Sequence, residues 1–99
     1  MDFYIIKSPS RGTIDILMRR KGSNSKELPL YRVDAVGLVQ GRMIEMVVAS
    51  DIAEKATGVT VEDIKGSCPQ NMILLAIFGD TAAVEDAMAE IQRKMEKKG

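Results

Sequence analysis

Cys68, the only cysteine of this sequence, has the most distinctive chemistry, because a thiolate can act as a nucleophile or as a metal ligand. It stands within residues 66–71 (GSCPQN), a turn-like segment between two apolar runs. The chain contains no histidine, which excludes histidine-based acid–base catalysis, histidine metal sites and the usual triads. A thiol enzyme would therefore lack its base. Metal binding or redox chemistry remains open to Cys68.

The neighbours of Cys68 have the properties of a metal-binding turn. Gly66 permits a tight turn, and Pro69 fixes its own φ and biases the preceding residue toward extended conformations. The polar side chains beside them could donate hydrogen bonds to the ligands of a metal group; they are Ser67, Gln70 and Asn71. An iron–sulfur cluster needs about four ligands, mostly thiolates, so one chain cannot hold a cluster alone. The alternative is an inert buried thiol, the commoner state of a lone cysteine in a small domain.

Length and composition indicate one small domain: 99 residues, of which 45% are hydrophobic and 28% charged. The net charge is zero, but the signs are segregated, with +4 over residues 1–32, −7 over residues 33–92 and +3 over residues 93–99. Four aromatic residues and zero net charge favour self-association over nucleic-acid binding. No run reaches the length of a membrane span, and a single cysteine suits a reducing compartment. We therefore expect a cytosolic protein.

Hydropathy patterns predict the elements that position Cys68. Strands are expected over residues 3–7, 13–20, 34–40, 59–64 and 72–78, the first two joined as a hairpin by a Pro- and Gly-containing turn. A first helix follows Gly41 and stops at Gly58, and a second begins after Asp80. The buried stripe of the first helix is predicted as Ile44, Val47, Val48, Ile52 and Ala56, and that of the second as Val84, Ala87, Met88, Ile91 and Met95.

The order of these elements predicts an α+β fold, an antiparallel-rich sheet with both helices on one face and an N-terminal strand or hairpin. Moving the strand predicted at residues 13–20 to the C-terminus would give β-α-β-β-α-β, the ferredoxin-like unit. The chain therefore looks circularly permuted. We expect an N-terminal strand and turn over residues 1–12 and a single permuted domain over residues 13–99.

Three sequence blocks resemble the BMC domain of bacterial microcompartment shell proteins. Residues 35–39 (AVGLV) are similar to the family's Ala-Leu-Gly-Met-Val, and residues 49–59 (ASDIAEKATGV) to its Ala-Ala-Asp-Ala-Met-Val-Lys-Ala-Ala-Asn-Val. Residues 79–84 (GDTAAV) are similar to Gly-Asp-Val-Gly-Ala-Val, and the spacing between the blocks is kept. The preceding residues 3–20 resemble the opening of the permuted shell proteins.

The resemblance implies a structural protein rather than an enzyme: a homohexameric tile of a polyhedral shell, with the loop at residues 66–71 lining a central pore. Ordinary members carry Gly-Ser-Gly in that loop, whereas Gly66, Ser67, Cys68 and Pro69 resemble the Gly-x-Cys-Pro of glycyl-radical-type microcompartments, which is associated with an iron–sulfur cluster. Six-fold symmetry would bring Cys68 of every subunit to one opening. We expect a [4Fe–4S] cluster held by about three of these thiolates, able to pass electrons across the shell or to block the pore.

Two further expectations come from the resemblance. Lys55 matches a lysine at the hexamer edge that packs against neighbouring tiles. The family commonly has arginine before its Gly-Asp pair, but this chain has Phe78, which removes a polar partner of that lysine. We therefore expect the protein to sit among other microcompartment shell proteins. Residues 3–7 are placed to form a small β-barrel over the pore.

The competing interpretation is a ferredoxin-like regulatory module that binds a metabolite between subunits and carries Cys68 incidentally. Residues 66–71 contain neither the lysine of a phosphate-binding loop nor the glycine triplet of a dinucleotide-binding motif. Oligomeric mass separates the two interpretations, because regulatory modules of this fold are often dimers or trimers.

Overall fold

A computed structural model describes residues 1–20, 33–56, 58–65 and 72–96 of the chain. In chain order its elements are β1 (Asp2–Lys7), α1 (Arg11–Arg20), β2 (Ala35–Arg42), α2 (Met43–Glu54), β3 (Val59–Ile64), β4 (Met72–Gly79) and α3 (Thr81–Glu96). The strands form one sheet in the order β1-β2-β4-β3, with antiparallel neighbours throughout. The predicted α+β class is confirmed.

The central strands β2 and β4 are apolar at odd and even positions alike, as expected of strands that are covered on both faces. Helices α2 and α3 pack on one face, where Val39 and Ile77 meet Met46 and Ala87 in the larger core cluster. Helix α1 packs on the other face. Its cluster consists of Ile14, Leu17, Val36, Ile64, Ala76 and Phe78.

Helix α3 forms as predicted. The Asp80 carboxylate accepts a hydrogen bond of 2.8 Å from the backbone N–H of Ala83, which is the expected N-cap. Four of the five residues predicted for its buried stripe are buried in the larger core cluster, and Met95 is partly buried against that cluster. The buried four are Val84, Ala87, Met88 and Ile91.

The strand and hairpin predicted at residues 13–20 are wrong. These residues belong to α1, which begins after Ser10, whose Oγ accepts a hydrogen bond of 3.2 Å from the N–H of Thr13. Only Ile14 and Leu17 are buried, three residues apart, whereas Ile16 is 49% exposed. The buried residues of this segment therefore follow the helical period. In so short an apolar run, the pattern of a helix cannot be told from the alternation of a strand. Strand β1 pairs with β2 instead.

The buried face predicted for the first helix is largely wrong. Ile52 is buried and Ala56 packs partly against the core, but Ile44, Val47 and Val48 are exposed. The buried residues of α2 are Met46, Ala49, Ile52 and Ala53. Since α2 is apolar around most of its circumference, periodicity alone could not select the face that meets the sheet.

The N-terminal strand belongs to the main sheet. Strand β1 pairs with β2 from Asp2 to Lys7, and Lys7 Nζ lies 3.1 Å from Glu85 Oε2 of α3. The division expected at residue 12 falls inside α1. A pore-capping barrel would need strands from other subunits, and it stays a prediction.

Candidate functional site

The six predicted pore-loop residues lie outside the residues that the structure describes. They are Gly66, Ser67, Cys68, Pro69, Gln70 and Asn71. What the structure places is the stem of this loop. Strand β3 ends at Ile64, β4 begins at Met72, and the two strands are antiparallel neighbours with Ile64 opposite Leu74. The loop therefore leaves the sheet at one defined end.

Three other features meet at that end of the sheet. Arg42, the last residue of β2, lies opposite Met72. Helix α2 begins at the next residue, and its first turn is capped by Glu45, whose Oε1 accepts a hydrogen bond of 3.0 Å from the Arg42 backbone N–H. Strand β1 enters here as well, with Asp2 opposite Gln40. The Cys68 loop and the start of α2 thus share one end of the domain.

The donor set of a single chain does not fit an iron–sulfur cluster. Cys68 is the sole thiol of the sequence, and no histidine can replace further cysteines. Within the described ranges, no group of three or more histidine, cysteine, aspartate or glutamate side chains is arranged to hold a metal ion. A cluster of about four ligands therefore fits only a site to which several copies of the chain contribute Cys68.

Helix α2 presents an apolar stripe to solvent. Ile44 is 73% exposed, Val47 is 64% exposed and Val48 is 46% exposed. Met43 extends the stripe to the loop end of the sheet, with 51% of its surface exposed. Beside the stripe lies a shallow recess of about 230 Å³, lined by Met43, Met46, Val47, Ser50, Asp63, Ile73 and Leu75. Monomeric proteins rarely expose contiguous aliphatic surface of this kind, so the stripe indicates a contact with another molecule.

Sequence reasoning missed this stripe because it assigned the same residues to the core. A signal was nevertheless present: α2 is apolar on two faces, and a helix that packs on only one side of a small sheet can bury only one of them. In a chain of 99 residues the second face is expected to find its partner outside the subunit.

Lys55 lies at the opposite end of α2 from the stem of the predicted pore loop. It is exposed, and its Nζ is 2.9 Å from Asp51 Oδ2, one helical turn earlier. Phe78, which replaces the arginine common in the family, is 2% exposed and packs against α1. The structure thus places the predicted edge lysine on the surface and the divergent position in the core.

Comparisons with known proteins are consistent with this arrangement. Residues 35–99 match the model of the BMC domain. The ligand-free GrpU microcompartment shell protein from Clostridiales bacterium 1_7_47FAA is 59% identical, with 98% of this chain and 94% of that chain covered and a TM-score of 0.77. The ligand-free GrpU microcompartment shell protein from Pectobacterium wasabiae is 34% identical, with 92% and 99% covered and a TM-score of 0.75. No curated protein matches the chain. Among the described residues, no helix is long and apolar enough to cross a membrane.

Proposed function

This chain belongs to the BMC-domain family of microcompartment shell proteins, and we propose that its copies close into a homohexameric tile that presents Cys68 to a shared axis. The observation that carries this proposal is the apolar stripe of α2, a contact surface that the isolated subunit leaves open to water. In a cyclic ring each subunit uses one patch against a different patch of its neighbour. The stripe is one of these two patches.

The position of the stripe relates assembly to the pore. Helix α2 starts at the loop end of the sheet and runs for 12 residues, about 18 Å, away from it. A neighbour seated on its exposed face would lie beside the start of the Cys68 loop. Contacts around a ring would then gather the loops at the centre and leave Lys55 toward the perimeter, where the tile meets other microcompartment shell proteins. The shell would lie in the cytoplasm.

Cys68 would be the metal ligand of the assembled tile. Several copies of the thiol at one axis supply the donor set that a single chain lacks, and a [4Fe–4S] cluster would take about three of them. Such a cluster supplies one-electron redox chemistry when bound. Pro69 would restrict the backbone around the thiol, Gly66 would permit a tight turn, and the polar residues of the loop are Ser67, Gln70 and Asn71. The function is structural with a redox-capable pore, as in a glycyl-radical-type microcompartment, and no catalytic residue is assigned.

The sheet order supports the proposal that the domain is circularly permuted. Read from β2, the elements run β-α-β-β-α, and β1 occupies the edge beside β2. A ferredoxin-like unit requires a fourth strand after its second helix. Strand β1 supplies that strand from the N-terminus, in place of the segment at residues 13–20 that the sequence suggested.

The experiment that tests the pore proposal is anaerobic purification of the wild type and Cys68→Ser, with iron and acid-labile sulfide counted per subunit. Both proteins should elute as hexamers of about 65 kDa, six times the chain mass of 10.9 kDa. The wild type should carry less than one cluster per chain, because one site is shared, and the variant none. An iron-free wild-type hexamer after reconstitution would refute the cluster but leave the tile. Loss of the hexamer in Cys68→Ser would instead assign the thiol a packing role.

A further inference from the structure

The apolar stripe of α2 requires a second surface that receives it. In a ring of identical subunits each contact joins two different surfaces, so the receiving surface is present on the same chain. In the described part of the chain, the exposed large apolar side chains outside α2 are Met1, Tyr4, Ile5 and Ile16. Ile16 stands alone on α1, whereas the other three lie within β1 or directly before it. Met1, Tyr4 and Ile5 are called the β1 patch below.

The β1 patch is open to water in the isolated subunit. Tyr4 is 72% exposed, Met1 43% and Ile5 38%. Beside Tyr4 lies an open recess of about 450 Å³, lined by Asp2, Tyr4, Leu38, Gln40 and Leu74. An apolar edge strand without proline tends to pair with other chains unless it is covered, and β1 contains no proline. The β1 patch therefore indicates a second contact surface.

The stripe and the β1 patch belong to opposite edges of the sheet. Strand β1 forms one edge and β3 the other. Val47 of the stripe and Asp63 of β3 line the same recess, so the stripe flanks the β3 edge. Strand β1 is flanked instead by α3, where Lys7 Nζ lies 3.1 Å from Glu85 Oε2. One subunit can therefore contact a different neighbour on each side, as a closed ring requires.

The two surfaces also run in the same direction. Strand β1 begins at the loop end of the sheet, with Asp2 opposite Gln40, and ends with Lys7 opposite Ala35. Helix α2 begins at the loop end as well and runs away from it. Rotation about an axis at the loop end keeps the start of every element nearest to that axis. Helix α2 of one subunit and β1 of the next are therefore aligned in parallel.

The charges of the two surfaces match in this parallel alignment. On β1, the exposed Asp2 and Lys7 stand at the two ends, about 17 Å apart along the strand. On α2, the exposed Arg42 and Glu54 stand at the two ends, about 18 Å apart along the helix. The alignment brings Arg42 beside Asp2 and Glu54 beside Lys7 of the next subunit. Opposite charges at both ends favour this pairing over stripe against stripe, which would bring like charges together in the same alignment.

We propose that the β1 patch of each subunit receives the α2 stripe of its neighbour, with strand and helix in parallel. The occupant of the β1 patch is thus a second copy of this chain. The pairing rests on the proposed tile and completes it, because it assigns the second of the two surfaces that a ring needs. It also covers the free edge of β1 in the assembled protein.

Mixing two variants of the full chain tests this pairing. Tyr4→Asp disables the β1 patch and Val47→Asp disables the stripe, so each variant alone should be monomeric. A 1:1 mixture should form a heterodimer of about 22 kDa, twice the chain mass of 10.9 kDa, in sedimentation runs up to about 1 mM protein. The intact stripe of one variant then meets the intact β1 patch of the other, and the two disabled surfaces prevent ring closure. Ile16→Asp is the control and should stay hexameric, and Ile5→Asp replaces Tyr4→Asp if circular dichroism shows that the latter is unfolded.

The outcomes separate this pairing from the tile. A hexameric Tyr4→Asp beside a monomeric Val47→Asp would overturn the β1 patch and leave the tile intact. A mixture in which both variants stay monomeric would overturn the contact between stripe and β1. A monomeric wild type would instead refute the tile, and the pairing with it.

The heterodimer contains a single contact, so it also tests the parallel alignment. Arg42→Glu in the chain that supplies the stripe should raise the heterodimer Kd by about fivefold to tenfold, because Asp2 of the other chain then faces a like charge. Asp2→Lys in that other chain should restore the original Kd. A Kd that Arg42→Glu leaves unchanged, or that the second substitution does not restore, would overturn the alignment.

Discussion

Replacing Val47 by aspartate should dissolve the proposed hexamer and leave the subunit folded. Val47 belongs to the apolar stripe and is 64% exposed in the subunit. At this exposure a carboxylate at position 47 can reach water in the isolated subunit. In the ring, a neighbour would cover it and remove that water. The change thus acts on assembly rather than on folding.

The expected loss of contact free energy follows from the exposed area of the stripe. Full burial of an aliphatic side chain is worth about 1.5–3 kcal/mol, and the exposed fractions of Ile44, Val47 and Val48 scale this to about 3–5 kcal/mol per subunit contact. Val47→Asp removes the free energy gained by burying the Val47 side chain at the contact. It also adds the cost of burying an unpaired carboxylate, which is on the order of several kcal/mol. A loss of about 4 kcal/mol weakens each contact by about three orders of magnitude.

Size-exclusion chromatography with light scattering measures this directly. The wild type should elute near 65 kDa, six copies of the 10.9-kDa chain, and Val47→Asp should move toward the mass of one chain. Ile16→Asp is the matched control, since it places the same carboxylate on an exposed isoleucine of α1, on the other face of the sheet. Circular dichroism should report folded protein in both variants. A hexameric Val47→Asp, or equal dissociation of Ile16→Asp, would refute the assignment of the interface to α2.

Two predictions concern the fold itself. A Cβ at Gly79 would lie 2.7 Å from the carbonyl oxygen of Gly58, whose φ of 88° fixes that turn. Gly79→Ala should therefore lower the free energy of unfolding by about 1–3 kcal/mol in urea titrations at fixed protein concentration. Gly37→Ala should cost less, because its nearest neighbour is the flexible side chain of Met88, and equal costs would contradict this. Separately, hydrogen bonds from the Arg93 side chain lower the pKa of Glu90, so Arg93→Ala should raise that pKa in a carboxyl NMR titration. Because the pKa of Glu90 is lowered in the folded state, the ionised carboxylate contributes stability at pH above the ordinary carboxyl range. This contribution is lost as pH falls through the folded-state pKa. A Glu90 pKa that is unchanged in Arg93→Ala would argue against the pairing.

The sequence predicted four of its five strands and α3 well, because the signals of these elements were local and redundant. Strand β3 has the predicted bounds, and β4 extends the predicted run by one residue. Helix α3 has both an N-cap and a single apolar stripe, so its period and its face agree. A prediction is reliable when the capping residues and the hydrophobic pattern indicate the same element and the same buried face.

The two wrong assignments have one physical cause, the choice between faces. In α1 the exposed Ile16 imitates the alternation of a strand, and only its contact with the sheet reveals that Ile14 and Leu17 form the buried face. In α2 two apolar faces compete for one sheet. Tertiary packing settles both choices, and a single sequence does not contain that information. The same ambiguity concealed the contact surface on which assembly is proposed to depend.

Iron content in Val47→Asp connects the interface with the pore. This variant keeps Cys68 and every residue of its loop, so a site built by one chain would keep its iron. A site that needs about three thiolates from different subunits must instead lose its iron when the ring opens, because the remaining chain has one thiol and no histidine. Anaerobic reconstitution of Val47→Asp beside Ile16→Asp makes this comparison at equal cysteine content. Iron retained by a monomeric Val47→Asp would refute the shared site, even if the interface assignment were correct.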